Sequence, residues 1–360
     1  METIKIGISV GDINGIGLEV ILKTFADQRL LQHCTPVVYG SSKIVSYHKN
    51  IIESDFEFHA VRPGDRLQEG KVNVMNCWQE NVNITLGKPT ELSGQYAGRS
   101  LEAAVKAMRD GEVDALVTAP INKEAMQMAQ FPFPGHTEYL ARELGEGEHL
   151  MFMVNEGLRI GLATNHLPLR NVADAIDKKL IKRKLEAMER SLRMDFGIER
   201  PAIAVLGLNP HASDGGVLGD EEERFIRPAV VEMKKAGSLV MGPFPADGFF
   251  GSGQYLKFDG ILAMYHDQGL TPFKALSFGA GVNFTAGLSH VRTSPDHGTA
   301  YDLAGKCEAD PASFRRSVYL AMDVARQRKL YQEMHKDVKQ PVAKPADVEG
   351  EDEVLREEDE

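Results

Sequence analysis

Short apolar runs alternate with longer amphipathic stretches along most of the chain, a pattern that predicts strands separated by helices. Residues 4–10 read as a buried strand, a glycine-rich turn follows, and 18–25 read as a helix. Residues 36–40 form a second short strand, and a polar, more extended region comes after it. A helix is expected over about 95–109, with Ala103, Ala104, Ala107 and Met108 on its apolar face and Gly111 as its stop signal. Residues 114–118 are a strand that halts at Ala119-Pro120. The second half uses the same grammar. Strands at 149–154 and 158–164 flank a turn holding Asn155 and Gly157; a charged amphipathic helix at 177–194 and a strand at 202–208 follow. Next come a helix at 221–236, strands at 239–241, 260–265 and 281–286, and a final helix at 311–330. Strands separated by helices of this length pair in parallel through crossovers. The expected fold class is α/β, with mostly parallel sheets and helices on both sides, and 360 residues suggest two domains at about 150 residues each.

Composition narrows the function classes. Hydrophobic residues make up 42% and charged residues 26%, ordinary for a soluble globular protein and wrong for a collagen-like or disordered chain. No apolar run approaches the ~18 residues of a membrane helix, and the opening residues enter a strand pattern at once, so neither a membrane span nor a leader peptide is expected. Three scattered cysteines, Cys34, Cys77 and Cys307, fit a reduced cytoplasmic setting. The net charge of -11 is misleading as it stands. Nine acidic residues and one arginine lie between Asp347 and Glu360, so the rest of the chain carries only about -3. Without a basic stripe, a nucleic-acid partner is not expected, and the acidic end reads as a solvated tail.

In open parallel sheets, ligands gather at the carboxyl ends of strands, so the residues after each apolar run are where chemistry is sought. Three of the eleven histidines occupy that position: His166 after 161–164, His211 after 206–208, and His266 after 261–264. If these strands share one sheet, the imidazoles converge, and three neutral imidazoles with a vacant fourth position suit catalytic zinc or another divalent cation. The plainer reading is that each histidine merely caps its strand. Asp247 and Asp267 stand near enough to act as a general base or behind the ligands. His136-Thr137 follows Gly135 at an expected helix start, where backbone N–H groups face an anion, unless Thr137 is simply an N-cap. Lys274, Asn283 and Arg292 would suit a small substrate carrying carboxylate or phosphate. The loop 11–19 follows a strand and opens a helix, but it satisfies neither G-x-G-x-x-G nor a P-loop, and a glycine-rich turn explains it equally well.

Taken together, several runs resemble one family, the 4-hydroxythreonine-4-phosphate dehydrogenases of pyridoxal phosphate biosynthesis. They are Gly7 to Asp12, Val117 to Lys123, Pro134 to Glu138, Asn165 to Leu169, Leu208 to Ala212, Met264 to Gly269 and Arg292 to Ala300. The resemblance implies an isocitrate/isopropylmalate dehydrogenase-like subunit with an interdomain cleft. A first domain would span 1–130 with 287–330, a second 131–286, and the acidic tail 331–360. It implies a homodimer whose active site is completed by the partner subunit, NAD or NADP as cofactor, and one divalent metal ion (Zn, Mg or Co) on His166, His211 and His266. His136, Thr137, Lys274, Asn283 and Arg292 would bind substrate, and Gly298, Thr299 and Ala300 resemble a nucleotide-binding loop. The implied reaction oxidises 4-phosphooxy-L-threonine to 2-amino-3-oxo-4-(phosphooxy)butanoate, which decarboxylates to 3-amino-2-oxopropyl phosphate. Ile13, Asn14 and Leu18 depart from the family's usual Pro, Ala and Pro, and Gly248 stands where Thr is usual. Rival readings are a dehydrogenase of a related phosphorylated four-carbon acid (4-phosphothreonate or erythronate), a metal-dependent hydrolase, a phosphate acyltransferase and a non-catalytic metal-dependent binding protein.

Overall fold

The structure, a computed structural model, describes residues 3–133 and 135–336. Twelve strands form one continuous sheet. In chain order they are β1 (Ile4–Ser9), β2 (Cys34–Gly40), β3 (Phe58–Val61), β4 (Val72–Asn76), β5 (Ala115–Thr118), β6 (Gly145–Asn155), β7 (Leu158–Leu162), β8 (Ala202–Leu206), β9 (Leu239–Phe244), β10 (Gly260–Ala263), β11 (Val282–Leu288) and β12 (Val291–Pro295). Their spatial order is β3-β4-β2-β1-β5-β12-β11-β6-β7-β10-β8-β9. The first six pair in parallel, as do β7, β10, β8 and β9. Between these blocks, β12, β11, β6 and β7 pair antiparallel. The architecture is thus α/β and mostly parallel, but a single sheet replaces the separate sheets expected, because β11 and β6 pair across the middle.

The central strands are apolar on both faces, as strands covered by helices must be: every residue of β2 and β5 is buried. Three elements escaped the hydrophobic pattern. β3 and β4 fall within the polar region, and only one residue of β3 is buried at that edge of the sheet. β12 interrupts its apolar pattern with Arg292, Thr293 and Ser294, all buried.

Helix ends moved for local reasons. The helix Glu91–Arg109 starts earlier than expected because Thr90 and Ser93 form a reciprocal cap: Ser93 N–H donates to Thr90 Oγ1 at 3.0 Å and Thr90 N–H to Ser93 Oγ at 3.2 Å. The helix Lys178–Met194 buries Ile181, Leu185, Met188 and Leu192, an i, i+4, i+7, i+11 stripe against the sheet, and Asp177 caps it. The helix expected over 221–236 instead opens as a π-turn, Glu222–Ile226, before the helix Arg227–Lys235. Pro228 has no N–H for the regular ladder there. The last helix, Ala312–His335, runs past the expected start of the acidic tail at 331. The tail beyond 336 lies outside the described residues. Among them, no helix is long and apolar enough to cross a membrane.

Candidate functional site

The strands bearing the three histidines are parallel neighbours, β7-β10-β8, so their carboxyl ends lie side by side. The loop after β7 and the helix His266–Ser277 after β10 bring His166 and His266 together, with ring centroids 5.5 Å apart and planes at 42°. His266 Nδ1 is hydrogen-bonded to Asp267 Oδ1 at 2.7 Å, which leaves Nε2 as its free ring nitrogen. Partial desolvation, helped by Lys123 and His266, lowers the pKa of His166 and favours the neutral imidazole that a metal requires.

His211 lies in the turn after β8, whose backbone is unusual. Five successive residues, His211 to Gly215, have φ of 55°, 50°, 69°, 47° and 67°. Left-handed backbone costs roughly 1–2 kcal/mol for each non-glycine residue, and His211 to Asp214 are all non-glycine. Within one subunit, no three His, Cys, Asp or Glu side chains among the described residues are grouped to hold a metal ion. His166 and His211 are both exposed. The donor types fit a divalent cation, but only His166 and His266 of the three histidines are brought ring to ring.

Beside the histidine pair is a cavity of about 190 Å³, whose wall includes Thr118, Lys123, His136, Thr137, His166, Asn283, Arg292 and His297. Arg292 is 2% exposed, and its guanidinium touches hydroxyls alone. Nε and Nη2 donate to Thr118 Oγ1 at 3.2 and 2.7 Å, and Nη1 donates to Thr285 Oγ1 at 3.2 Å. Among the described residues it forms no ion pair, and burial lowers its pKa to about 10. A buried cation without a counter-charge is costly unless a ligand supplies one. The neighbouring polar atoms are equally unspent: His136 Nε2, Asn283 Oδ1 and His297 Nε2 are buried without a hydrogen-bond partner, as is Asn165 Oδ1 nearby. Burial, reinforced by Arg292, holds His136 well below its ordinary pKa, so it is neutral. An adjoining cavity of about 330 Å³ shares Thr137, Glu138 and His166 with the first.

Other expected residues lie elsewhere. Thr137 is not an N-cap: Gly135 holds that position in the helix His136–Leu144, without a side-chain bond. Lys274 is half-exposed and paired with Asp296 at 3.3 Å, outside the cavity lining. Asp247 is exposed on the short helix Ala246–Gly251, which packs against the His211 turn rather than the cavity. Gly298 reaches the cavity rim, but Thr299 is locked against the first loop, its carbonyl accepting from Ile16 N–H at 3.0 Å.

That first loop is a structural turn. Gly11 takes φ 68°, and a Cβ there would come within 2.3 Å of Pro120 O. Asp12 accepts from Asn14 N, Ser93 Oγ and Tyr301 Oη at 2.8, 3.0 and 2.8 Å. Thr118, Lys123, Glu138 and His297 were not assigned individually from the sequence. The strand-end rule reached Thr118, and Lys123 sits at the first turn of the helix Lys123–Met128 that follows.

The fold is that of a class of α/β dehydrogenases, and the chain is a dehydrogenase. A solved 4-hydroxythreonine-4-phosphate dehydrogenase from Klebsiella pneumoniae is 35% identical with a TM-score of 0.78, over 90% of this chain and 98% of the other. The family described as pyridoxal phosphate biosynthetic protein PdxA matches residues 32–321, and the chain belongs to that family. A 4-hydroxythreonine-4-phosphate dehydrogenase from Bacteroides thetaiotaomicron is 51% identical over 326 residues, 90% of each chain. A D-threonate 4-phosphate dehydrogenase from Cupriavidus necator is 39% identical over 326 residues, 90% of this chain and 98% of the other.

Proposed function

We propose that the protein oxidises 4-phosphooxy-L-threonine with NAD or NADP, using one divalent cation, to 2-amino-3-oxo-4-(phosphooxy)butanoate, which loses carbon dioxide to give 3-amino-2-oxopropyl phosphate on the way to pyridoxine 5′-phosphate. The carrying observation is Arg292, a buried guanidinium bonded to hydroxyls alone among unspent polar atoms. That environment calls for an anionic group, and the substrate has two, a phosphate and a carboxylate. Arg292 neutralises one of them, with Asn283, Thr137 and neutral His136 completing the hydrogen bonds. Lys274, itself half-exposed, reaches the substrate by giving up its pair with the largely buried Asp296. Glu138 lies in the cavity wall, where its carboxylate suits the substrate's ammonium. D-threonate 4-phosphate has no such group, and this favours the amino acid over the threonate read from the Cupriavidus relative.

His166, His211 and His266, shared between the subunits of a homodimer, would hold the cation, and Asp267 fixes the ring of His266. When bound, the cation supplies Lewis acidity toward the hydroxyl being oxidised, and the nicotinamide accepts the hydride. The protein's share is to hold the reacting carbon and exclude competing geometries. The rim at Gly298 would border the nicotinamide nucleotide, with Thr299 and Ala300 shaping that loop. Exposed apolar side chains beside the histidines support a homodimer that completes the site: Leu169 is 72% and Val217 77% exposed. Free Cys34, Cys77 and Cys307 agree with a cytoplasmic setting. The two parallel blocks of the sheet support a division into 1–130 with 287–330 and 131–286.

The test adds 4-phosphooxy-L-threonine and D-threonate 4-phosphate in parallel assays, with either dinucleotide, and follows reduced nicotinamide with and without chelator. Turnover of the amino acid that stops on chelation and returns with added zinc, cobalt or magnesium is expected. Faster turnover of the threonate would replace the substrate, and dinucleotide-free hydrolysis would replace the reaction.

A further inference from the structure

The turns that carry the three histidines share a feature that the reaction itself does not require. In each, the residue two positions before the histidine is held by a side-chain hydrogen bond: Thr164 before His166, Asn209 before His211 and Met264 before His266. Met264 is the shared node. Its N–H donates to Gln268 Oε1 at 2.7 Å, and its carbonyl accepts from Thr164 Oγ1 at 2.8 Å. Gln268 also donates from Nε2 to Gly207 O at 2.6 Å, tying the turn after β10 to the turn after β8. Further along that second turn, Glu222 is fully buried. It accepts from Asn209 N–H at 2.7 Å through Oε1 and from Asn209 Nδ2 at 2.9 Å through Oε2. Glu221 takes a second bond from Asn209 Nδ2 at 2.8 Å.

These bonds lie beyond the sheet ladder. The last paired residues are Val205 with Leu262 and Leu162 with Ala263; beyond them Ala163 N–H donates to Ala263 O at 2.8 Å and Thr164 N–H to Met264 O at 3.2 Å, so the side-chain clamp reinforces the point where backbone pairing runs out. The clamp instead meets the left-handed turn at His211, whose positive φ values would relax to ordinary backbone if the turn were released. Glu222 reaches inward from the first residue of the π-turn Glu222–Ile226, a distortion common where a helix serves a site.

We propose that Gln268 and Glu222 are positioning residues for the metal-binding histidines: Gln268 fixes the turn of His211 against that of His266, and Glu222 keeps the His211 turn in its left-handed form. Neither touches substrate or cation. The proposal rests on the reading that His211 and His266 bind the cation, so its test separates the two.

The experiment measures the dissociation constant of Co(II) for the purified, metal-stripped full chain by equilibrium dialysis, together with the visible spectrum of the bound ion and the thermal midpoint with and without it. Parent protein should bind, and His266→Ala should not. Gln268→Met, which keeps volume but loses both bonds, and Glu222→Ala should each weaken Co(II) by about 10- to 100-fold and alter the spectrum. Glu222→Gln keeps an acceptor for Asn209 N–H and should recover part of the loss. Gln268→Met should lower the metal-free midpoint, because Met264 N–H and Gly207 O lose their partner, and its further rise on adding Co(II) should also shrink, the second change being one that a merely structural role would not produce. If His266→Ala binds Co(II) like the parent, the metal reading fails and the clamp with it. If His266→Ala loses binding while Gln268→Met and Glu222→Gln stay within twofold of the parent, the positioning proposal alone is overturned. Should Glu222→Gln not fold, Gln268→Met and Thr164→Val decide the matter.

Discussion

The turn at 11–17 and the cavity beneath Gly135 are both buried, both polar and both next to β5, yet their polar atoms are used in opposite ways. In the turn, Asp12 is 1% exposed and accepts three hydrogen bonds. Asn14 donates to Lys88 O and Thr90 Oγ1 at 2.9 and 3.1 Å and accepts from Thr85 N at 2.9 Å. His48 closes the same region by donating from Nε2 to Ile13 O at 3.0 Å. In the cavity, Arg292 hydrogen-bonds to hydroxyls alone and forms no ion pair among the described residues, and His136, Asn283 and His297 each leave an atom unpaired. A buried polar group left unpaired costs about 1–3 kcal/mol. A cluster of them marks a place that water or a ligand must complete. Both regions contain glycines and acids or bases in short spacing; what separates architecture from binding site is whether the hydrogen bonds already close.

That contrast can be broken from either side. The largest effect belongs to the closed region. Burial lowers the pKa of His48 from 6.5 to about 4. Its neutral form is the folded form, so the stability it protects is intact above pH 6.5 and is lost as pH falls toward 4. The loss should be about 3 kcal/mol relative to His48→Gln, at 1.36 kcal/mol per pKa unit. Denaturant unfolding of both proteins at the two ends of that range measures it, and parallel curves would show that His48 is not a buried neutral donor. On the cavity side, His136→Ala should lower kcat/KM by about 10- to 100-fold, the worth of one hydrogen bond to a charged group, and leave the unfolding midpoint in place. A stability loss with unchanged kinetics would move His136 to the architectural class. The smallest effect is Thr90→Ala, which removes a helix cap and an Asn14 contact. It should cost about 1 kcal/mol of stability with KM unaltered, as steady-state kinetics beside thermal melts would show.

Much of this was legible in the sequence. The strand-end rule led to His166, His211 and His266, and the three strands are indeed adjacent, because apolar runs of strand length are visible without knowing how they pair. Pairing itself was not visible. β12 carries buried Arg292 and Thr293, so it reads as loop, and without it the antiparallel centre of the sheet and the proximity of Arg292 to Thr118 are lost. Nor could the left-handed turn at His211 be seen, since four of its five residues are not glycine. The ambiguity of the 11–19 loop was real at the level of residue types. It is resolved by partners far along the chain, Ser93 and Tyr301 for Asp12, and these no local motif can name. Lys274 shows the reverse limit, for its position was marked but its pairing with Asp296 came from the fold.

Arg292 is a buried cation whose side-chain hydrogen bonds go to hydroxyls alone. The most direct test is kcat/KM of Arg292→Ala with 4-phosphooxy-L-threonine, with folding checked by its melting curve. Losing a charge-assisted contact of about 2–4 kcal/mol should cost roughly 30- to 1000-fold in a protein that still melts cooperatively. A folded variant within about twofold of the parent would contradict the account.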